Sequence, residues 1–422
     1  MLQRAELALE WKALLRDRML PYWHDTTVNA RGGYKVHDPG ERWWRAQIRS
    51  MINGGNQRSE NETLRGIVSQ ARLLWVFSHA HLLGYSTPQH DYLKAAAHGY
   101  SYLTETMIDR EYGGCYWKAD VNRGVIEPHK ILYGQSIAIY ALVEYHRASK
   151  LSEPLEHALS LFETAQRRFH DDVHGGWIEH CDREFAPLTC TGDRIPNMPD
   201  IVGYKSGDAI LHWMEALTEL YAEVRDDSLR DSLVEAVELL CTKFYPRDVS
   251  AACEYRLADW KAVENDEISS LSHGHIVEFA WLLLHAQQAL GLPRDWDHFD
   301  CLVQHSLRYG FDHERGGFYF RGKPNETAGD TTKFWWVQAE GLSALTDAVA
   351  HSDSDEYNES LTQLLNWIRH HQIRSDDGVW IASTDAGGRP QNVKKAGEWK
   401  AAYHEVRAIT KFVHTFAPTV AL

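Results

Sequence analysis

The sequence predicts an all-α protein: a six-fold α/α barrel, with twelve helices in an inner and an outer ring and short β-hairpins in the loops. Three observations point there. A weak repeat recurs along the 422 residues, most copies carry a glycine turn, and apolar residues at helical spacing fill the stretches between copies.

The first copy is Arg31-Gly32-Gly33-Tyr34. The next are Ile108-Asp109-Arg110-Glu111-Tyr112-Gly113-Gly114 and Phe169-His170-Asp171-Asp172-Val173-His174-Gly175-Gly176-Trp177. Phe311-Asp312-His313-Glu314-Arg315-Gly316-Gly317-Phe318 follows, and Ile373-Arg374-Ser375-Asp376-Asp377-Gly378-Val379-Trp380 is a worn version. Phe244-Tyr245-Pro246-Arg247-Asp248-Val249 fills the long gap before Phe311 and lacks the glycines. The period is roughly 65 residues, room for two helices of about 15 to 20 residues and their turns. Gly-Gly permits a tight turn, and the aromatic or β-branched residues after it suit a short strand.

Helical spacing of apolar residues predicts helices over 64–83, 131–145, 210–224 and 276–290. Six such pairs close most simply into two concentric rings whose inner helix ends share one cleft. A linear solenoid is the alternative, but the end repeats show no polar capping face. No Pro-, Ser- or charge-rich linker divides the chain, so one domain over 1–422 is expected.

Hydrophobic residues make up 44% and charged residues 24%, a soluble globular balance. With 44 Lys and Arg against 59 Asp and Glu, the net charge of −15 argues against nucleic acid or an anionic membrane as partner. The opening MLQRAELALEWKALLRDR has no apolar signal core, and no apolar run is long enough to span a membrane. Cys115, Cys181, Cys190, Cys241, Cys253 and Cys301 form no CxxC pair and read as buried thiols of a reducing compartment, hence a cytoplasmic protein. The 16 tryptophans would mostly fill core, and some suit ring stacking on a sugar.

Polar chemistry enters the apolar helices at a few places. His275 and Glu278 share a helix face that Trp281 extends; His212 and Glu215 repeat the spacing. Trp336 with Glu340, and Tyr403-His404 with Arg407, do so again, and Arg72 stands alone in QARLLWVFS. Each group belongs to a different helix pair, so a closed ring would converge them on its axis. Burying Glu340 and Arg72 among apolar neighbours is costly without a polar cavity. His273-Gly274-His275 with Glu278 could offer zinc ligands, but no HExxH, CxxC or second His pair completes a set, so no metal is expected. No GxGxxG, GxxxxGK[ST] or GxSxG motif is present, and no cofactor is expected.

From about residue 30 onward the chain resembles the N-acylglucosamine 2-epimerase superfamily, most closely its cellobiose 2-epimerase branch. The anchors are QARLLWVFS, KILYGQSIAIYALVEYHRA, HGGWIEHCDREFAPL, LHWMEAL, SHGHIVEFAWLLL, KFWWVQAE and WKAAYHEVRA, in the family's order. The resemblance implies the six-fold α/α barrel and a metal-independent epimerase or isomerase of free reducing sugars. It places the two acid–base histidines on His275 and His404 and the reducing-end arginine on Arg72. It places carboxylates on Glu278 and Glu340, a site histidine on His212, and pocket-lining positions on Tyr133, Trp336 and Trp380; Trp281 is a further binding candidate from the helix face it shares with Glu278. The chain departs from the family's frequent GHDIE, NTHLHVLEA and YHNGR at Gly274–Glu278, Asp208–His212 and Tyr403–Arg407, each beside a matched site residue.

The implied chemistry removes the acidic C2 proton of an open-chain aldose to give a cis-enediolate, which histidine suits near neutrality. Return of the proton to the opposite face of C2 makes an epimerase; return to C1 makes an aldose–ketose isomerase, the alternative. A glycoside hydrolase using Glu278 and Glu340, or a non-catalytic binding protein, are lesser readings. A monomer or a homodimer is expected, with a small sugar as the partner.

Overall fold

The computed structural model describes residues 2–28, 32–36, 63–188, 202–263, 270–373 and 376–417. Arg31, Cys190, Arg374 and Ser375 fall outside them. Two compact units emerge. One comprises Met1–Leu20, Lys205–Asn392 and His404–Leu422; the other comprises Pro21–Tyr204 and Val393–Tyr403.

Both units are built from two kinds of helix. The first kind is buried on nearly every side: Ile67–Leu82 and Leu132–Ser149 in one unit, Gly207–Val224, His273–Ala289 and Trp335–His351 in the other. The second kind buries a single stripe, as a surface helix does. It comprises Tyr92–Tyr102 and Glu153–Phe169 in one unit, and Asp227–Leu239, Trp296–Gly310 and Asp355–Trp367 in the other. Several surface helices end in a π-helical turn, at Leu103–Met107, Leu240–Phe244 and Ile368–Gln372.

The glycine turns then follow. Bridges Val28↔Tyr34, Ile108↔Cys115, His170↔Trp177, Phe311↔Phe318 and Ile373↔Trp380 close small hairpins at the expected copies. Asp312 shows how one is built. Its carboxylate accepts from the backbone N–H groups of Glu314 and Arg315. Gly316 and Gly317 then take φ of +83° and +87°, and a side chain at Gly316 would run into the Gln363 carbonyl. Lys333 Nζ, fully buried, donates to Asp312 Oδ2 at 2.8 Å and to the Gly316 carbonyl at 2.7 Å. Gln338 fastens the turn to its helix by pairing both backbone groups of Phe318, at 2.7 Å each. Lys130, Asp109 and Gln135 repeat this arrangement in the other unit. The copy at Phe244 keeps the hairpin bond, Cys253 N–H to the Phe244 carbonyl at 3.0 Å, but a short 3₁₀ turn at Val249–Ala251 replaces the glycines.

After each turn a short strand pairs antiparallel with the strand that leads into a buried helix. Lys130–Ile131 pairs with His180–Cys181, Lys205–Ser206 with Tyr255–Arg256, Leu271–Ser272 with Arg321–Gly322, and Lys333–Phe334 with Ser383–Thr384. These pairs fix where buried helices begin. Ser206 and Ser272 then cap two of them through their hydroxyls, accepting from Ala209 and His275 N–H. Tyr133, His275 and Trp336 stand at such strand–helix junctions.

No helix among the described residues is long and apolar enough to cross a membrane. The described cysteines are unpaired. Cys115 and Cys181 are buried as expected, but Cys301 is exposed, because it faces outward on the one-sided Trp296–Gly310 helix.

Candidate active site

The unit containing Lys205–Asn392 and His404–Leu422 gathers seven of the expected residues within the first three turns of its helices. His212 lies on Gly207–Val224; His275, Glu278 and Trp281 on His273–Ala289; Trp336 and Glu340 on Trp335–His351; His404 on Tyr403–Phe416.

The half-buried indole of Trp336 is their common landmark. Its centroid lies 5.0 Å from the His275 ring and 6.0 Å from the His404 ring. Gly274 makes this seat possible, since a Cβ there would run into the indole. His275 Nδ1 is 2.8 Å from Glu254 Oε2, and its Nε2 is 3.6 Å from Asp208 Oδ1. Burial pulls the His275 pKa down, but Glu254 and Asp208 outweigh it and hold it up at about 9. His404 Nδ1 is 2.6 Å from Glu340 Oε1.

Beneath the histidines lies a buried ionic network. Arg407 donates to Glu215, to Glu278 Oε1 at 2.7 Å and to Glu340 Oε1 at 2.8 Å. Its guanidinium stacks 4.7 Å over Trp281, whose indole N–H donates to Glu340 Oε2 at 3.0 Å. Burial would raise the Glu340 pKa, but Arg407 and His404 hold it low. Glu278 is raised instead, by burial and by neighbouring Glu340, and its Oε2 is buried without a hydrogen bond. His212 bridges Glu215 Oε2 at 2.9 Å and Asp208 Oδ1 at 3.3 Å; these bonds overcome its burial and lift its pKa to about 10.

Glu278, Glu340 and His404 bring ligand atoms within 4.8 Å of one another, close enough for a metal ion. Arg407 bonds both carboxylates and already supplies the positive charge there. The zinc set considered for His273, His275 and Glu278 does not form. The His273 ring turns away to pack against His305, 6.1 Å between centroids, and burial lowers its pKa to about 3.

Arg72 and Tyr133 meet in the other unit. Arg72 Nη2 donates to the Tyr133 hydroxyl at 2.7 Å, Nη1 to the Trp399 carbonyl, and the guanidinium lies 5.3 Å over Tyr403. Trp380 offers no open face: it is wholly enclosed and meets Trp11 edge-on at 6.4 Å.

Glu254, Asp208 and Arg407 join the cluster without being expected site residues. The sequence pattern marks Arg407 only as sharing a face with His404. Glu254 comes from a loop, where helical periodicity carries no signal. One signal is present all the same: Glu179 and Glu254 both immediately precede the strand that follows their turn, and both are buried.

This cluster of paired acids and bases can take and give protons, and comparison with known proteins gives the class, a carbohydrate isomerase-class enzyme. The profile of the N-acylglucosamine 2-epimerase (GlcNAc 2-epimerase) family matches residues 53–408, and the chain belongs to that family. It is 27% identical to a cellobiose 2-epimerase of Ruminococcus albus over 398 residues, covering 93% of this chain and 95% of that one. It is 23% identical to a D-mannose isomerase of Marinomonas mediterranea, covering 83% and 87%. The solved cellobiose 2-epimerase of Bacillus thermoamylovorans superposes with a TM-score of 0.82 at 23% identity, over 97% of this chain and 99% of that one. The fold is therefore the expected all-α, six-fold α/α-barrel class.

Proposed function

We propose that this enzyme interconverts C2 epimers of a free reducing sugar of the glucose/mannose type, acting within one catalytic domain. The observation that carries the reading is the placement of His275 and His404 about Trp336, each with Nδ1 tied to a buried carboxylate. That commitment assigns proton transfer to Nε2. One histidine takes the C2 proton of the open-chain aldose, leaving a cis-enediolate; the other returns a proton to the opposite face. Trp336 offers the half-buried ring on which a sugar stacks. Glu254 and Glu340 hold the tautomers, and Glu278, His212 and Trp281 support the network. On the residue match, Arg72 offsets charge on the enediolate oxygen, with Tyr133 as its partner. The chemistry needs no metal, and the free thiols suit a cytoplasmic location.

An aldose–ketose isomerase shares the enediolate, and the likeness to D-mannose isomerases supports it as the second reading. A hydrolase reading fits poorly. Glu278 and Glu340 are both bound by Arg407 Nη2, which occupies the space a scissile glycosidic oxygen would need.

Proton NMR in heavy water with glucose, mannose, fructose, N-acetylglucosamine and cellobiose, each alone, tests the proposal. Deuterium at C2 with a C2 epimer supports the epimerase; a ketose product supports the isomerase; no exchange with any sugar refutes both for this panel. His275→Ala and His404→Ala should each remain folded by circular dichroism and lose at least about 10²-fold in exchange rate. Near-normal exchange in either variant removes that histidine from the mechanism.

A further inference from the structure

A second cluster of metal-ligating side chains lies in the Pro21–Tyr204 unit and plays no part in the proposed chemistry. His24 and Asp25 are near the end of the Leu20–Thr27 helix, and His90 ends a turn just before the Tyr92–Tyr102 helix. His24 Nδ1 is 3.0 Å from Asp25 Oδ1, and His90 Nε2 is 3.2 Å from the same oxygen. The three ligand atoms lie within 4.8 Å of one another. We propose that His24, Asp25 and His90 form a divalent transition-metal site, of the kind that takes zinc, with water completing the coordination.

The geometry accommodates a cation. Ligands about 2.0–2.1 Å from a tetrahedral zinc stand about 3.4 Å apart, close to the observed separations. The two imidazoles are nearly perpendicular, at 84°, with centroids 5.1 Å apart, so their nitrogens converge on the carboxylate. Both rings are held in place. His24 meets Phe77 and Tyr92 edge-on, and His90 stacks on Tyr92 at an interplanar angle of 12°. The Thr87–His90 turn is closed twice, by Thr87 N–H to the His90 carbonyl and His90 N–H to the Thr87 hydroxyl, both at 3.0 Å. Among the described residues Asp25 forms ion pairs with these two histidines and with no lysine or arginine, so no fixed cation holds its charge. Asp25 is 61% exposed, which gives an ion and its waters access. Two imidazoles and one carboxylate are a borderline donor set that suits zinc or cobalt, not calcium or magnesium.

The test is titration of the chelator-stripped full chain with Zn²⁺, followed by Co²⁺ absorption. The expected result is one saturable site per chain with a cobalt d–d band, and at least tenfold weaker binding in both His90→Ala and Asp25→Asn. Zinc should also raise the melting temperature of the wild type and not of the two variants, since an ion that binds only the folded chain stabilises it. Equal affinity and stoichiometry in wild type and both variants would place the zinc elsewhere and overturn the assignment. A wild type that binds no zinc would leave an ion pair only and overturn it too. Asp25 is exposed, so Asp25→Asn reports on the site even if His90→Ala disturbs the turn.

Discussion

His275 and His404 use the same device under different charge. Each ties Nδ1 to a buried carboxylate. Glu254, behind His275, also accepts from Ser272 N–H at 2.8 Å and from the Tyr245 hydroxyl at 3.3 Å, both neutral donors. Glu340, behind His404, also accepts from Arg407 and from Trp281. The negative charge behind His275 is thus answered mainly by the histidine, while that behind His404 is shared with a permanent cation. Asp208 adds a second anion on the Nε2 side of His275. The comparison teaches that similar geometry can sit in different charge surroundings: with Glu254 and Asp208 beside it, His275 is held as the imidazolium, the form that gives a proton first.

The sharpest way to break the comparison is to neutralise each carboxylate. Glu340→Gln strips a buried anion from Arg407 and His404 together. Removing one partner of a buried ion pair costs about 3–5 kcal/mol where the other charge is left alone; Arg407 keeps Glu215 and Glu278, so the loss should lie toward about 3 kcal/mol, with activity lost through His404. Glu254→Gln breaks no direct ion pair with an arginine, since Arg321 acts on Glu254 only through its charge and after His275. It should cost about 1–3 kcal/mol, as a compromised buried hydrogen bond does, while still impairing turnover through the His275 tautomer. Denaturant unfolding of both variants alongside sugar exchange rates checks the order. Equal stability losses would mean that Arg407 does not distinguish the two sites.

Asp208 sharpens the comparison from the other side of the ring. A two-histidine epimerase needs one proton on the pair, so kcat/KM should fall as pH rises through the His275 pKa of about 9. Asp208 favours the imidazolium, and Asp208→Asn removes that support. The alkaline limb should then move down by about 1 on the pH scale. His212, 3.3 Å from Asp208 and raised to about 10, also titrates above neutrality. The same profile is therefore run on His212→Gln/Asp208→Asn. A limb that stays in place in both variants would show that Asp208 does not set the charge on His275.

Much of this arrangement was legible in the sequence, and the remainder was hidden for physical reasons. Helical spacing found four of the five buried helices, all but Trp335–His351, with the starts misplaced. The helix expected from Ile210 begins at Gly207, because the Ser206 cap and the strand before it, not apolar spacing, set its start. The stretch from Leu64 opens as a strand and turns helical at Ile67, because Leu64–Gly66 pairs with Lys118–Asp120, a contact no local pattern announces. Histidines and carboxylates at i, i+3 and i+4 on separate helices marked most of the cluster. Glu254 was missed because it reaches His275 from a loop 21 residues away. Trp380 was expected at the sugar because aromatic identity does not reveal whether a ring is enclosed; Trp11, from the far end of the chain, covers it.

The smallest expected effect concerns Glu278, the carboxylate with least support. Arg407 reaches its Oε1, while Oε2 is buried without a hydrogen bond, and Glu340 stands close by. Its folded pKa is therefore raised, opposite in direction to that of Glu340. For an acid raised in the folded state, the native form binds more protons than the unfolded chain. Stability is then lost as pH rises above the unfolded value of about 4.3 and through the higher folded value. Glu278→Gln keeps the shape and removes that titration. Relative to wild type, the variant should gain about 1 kcal/mol between pH 4 and pH 8, since a tenfold difference in proton affinity between the folded and unfolded chain corresponds to about 1.4 kcal/mol. Unfolding at the two pH values measures the gain directly. A relative loss instead would mean that the Glu278–Arg407 contact outweighs burial and the neighbouring charge, and that the carboxylates beneath the histidines are equally ionised.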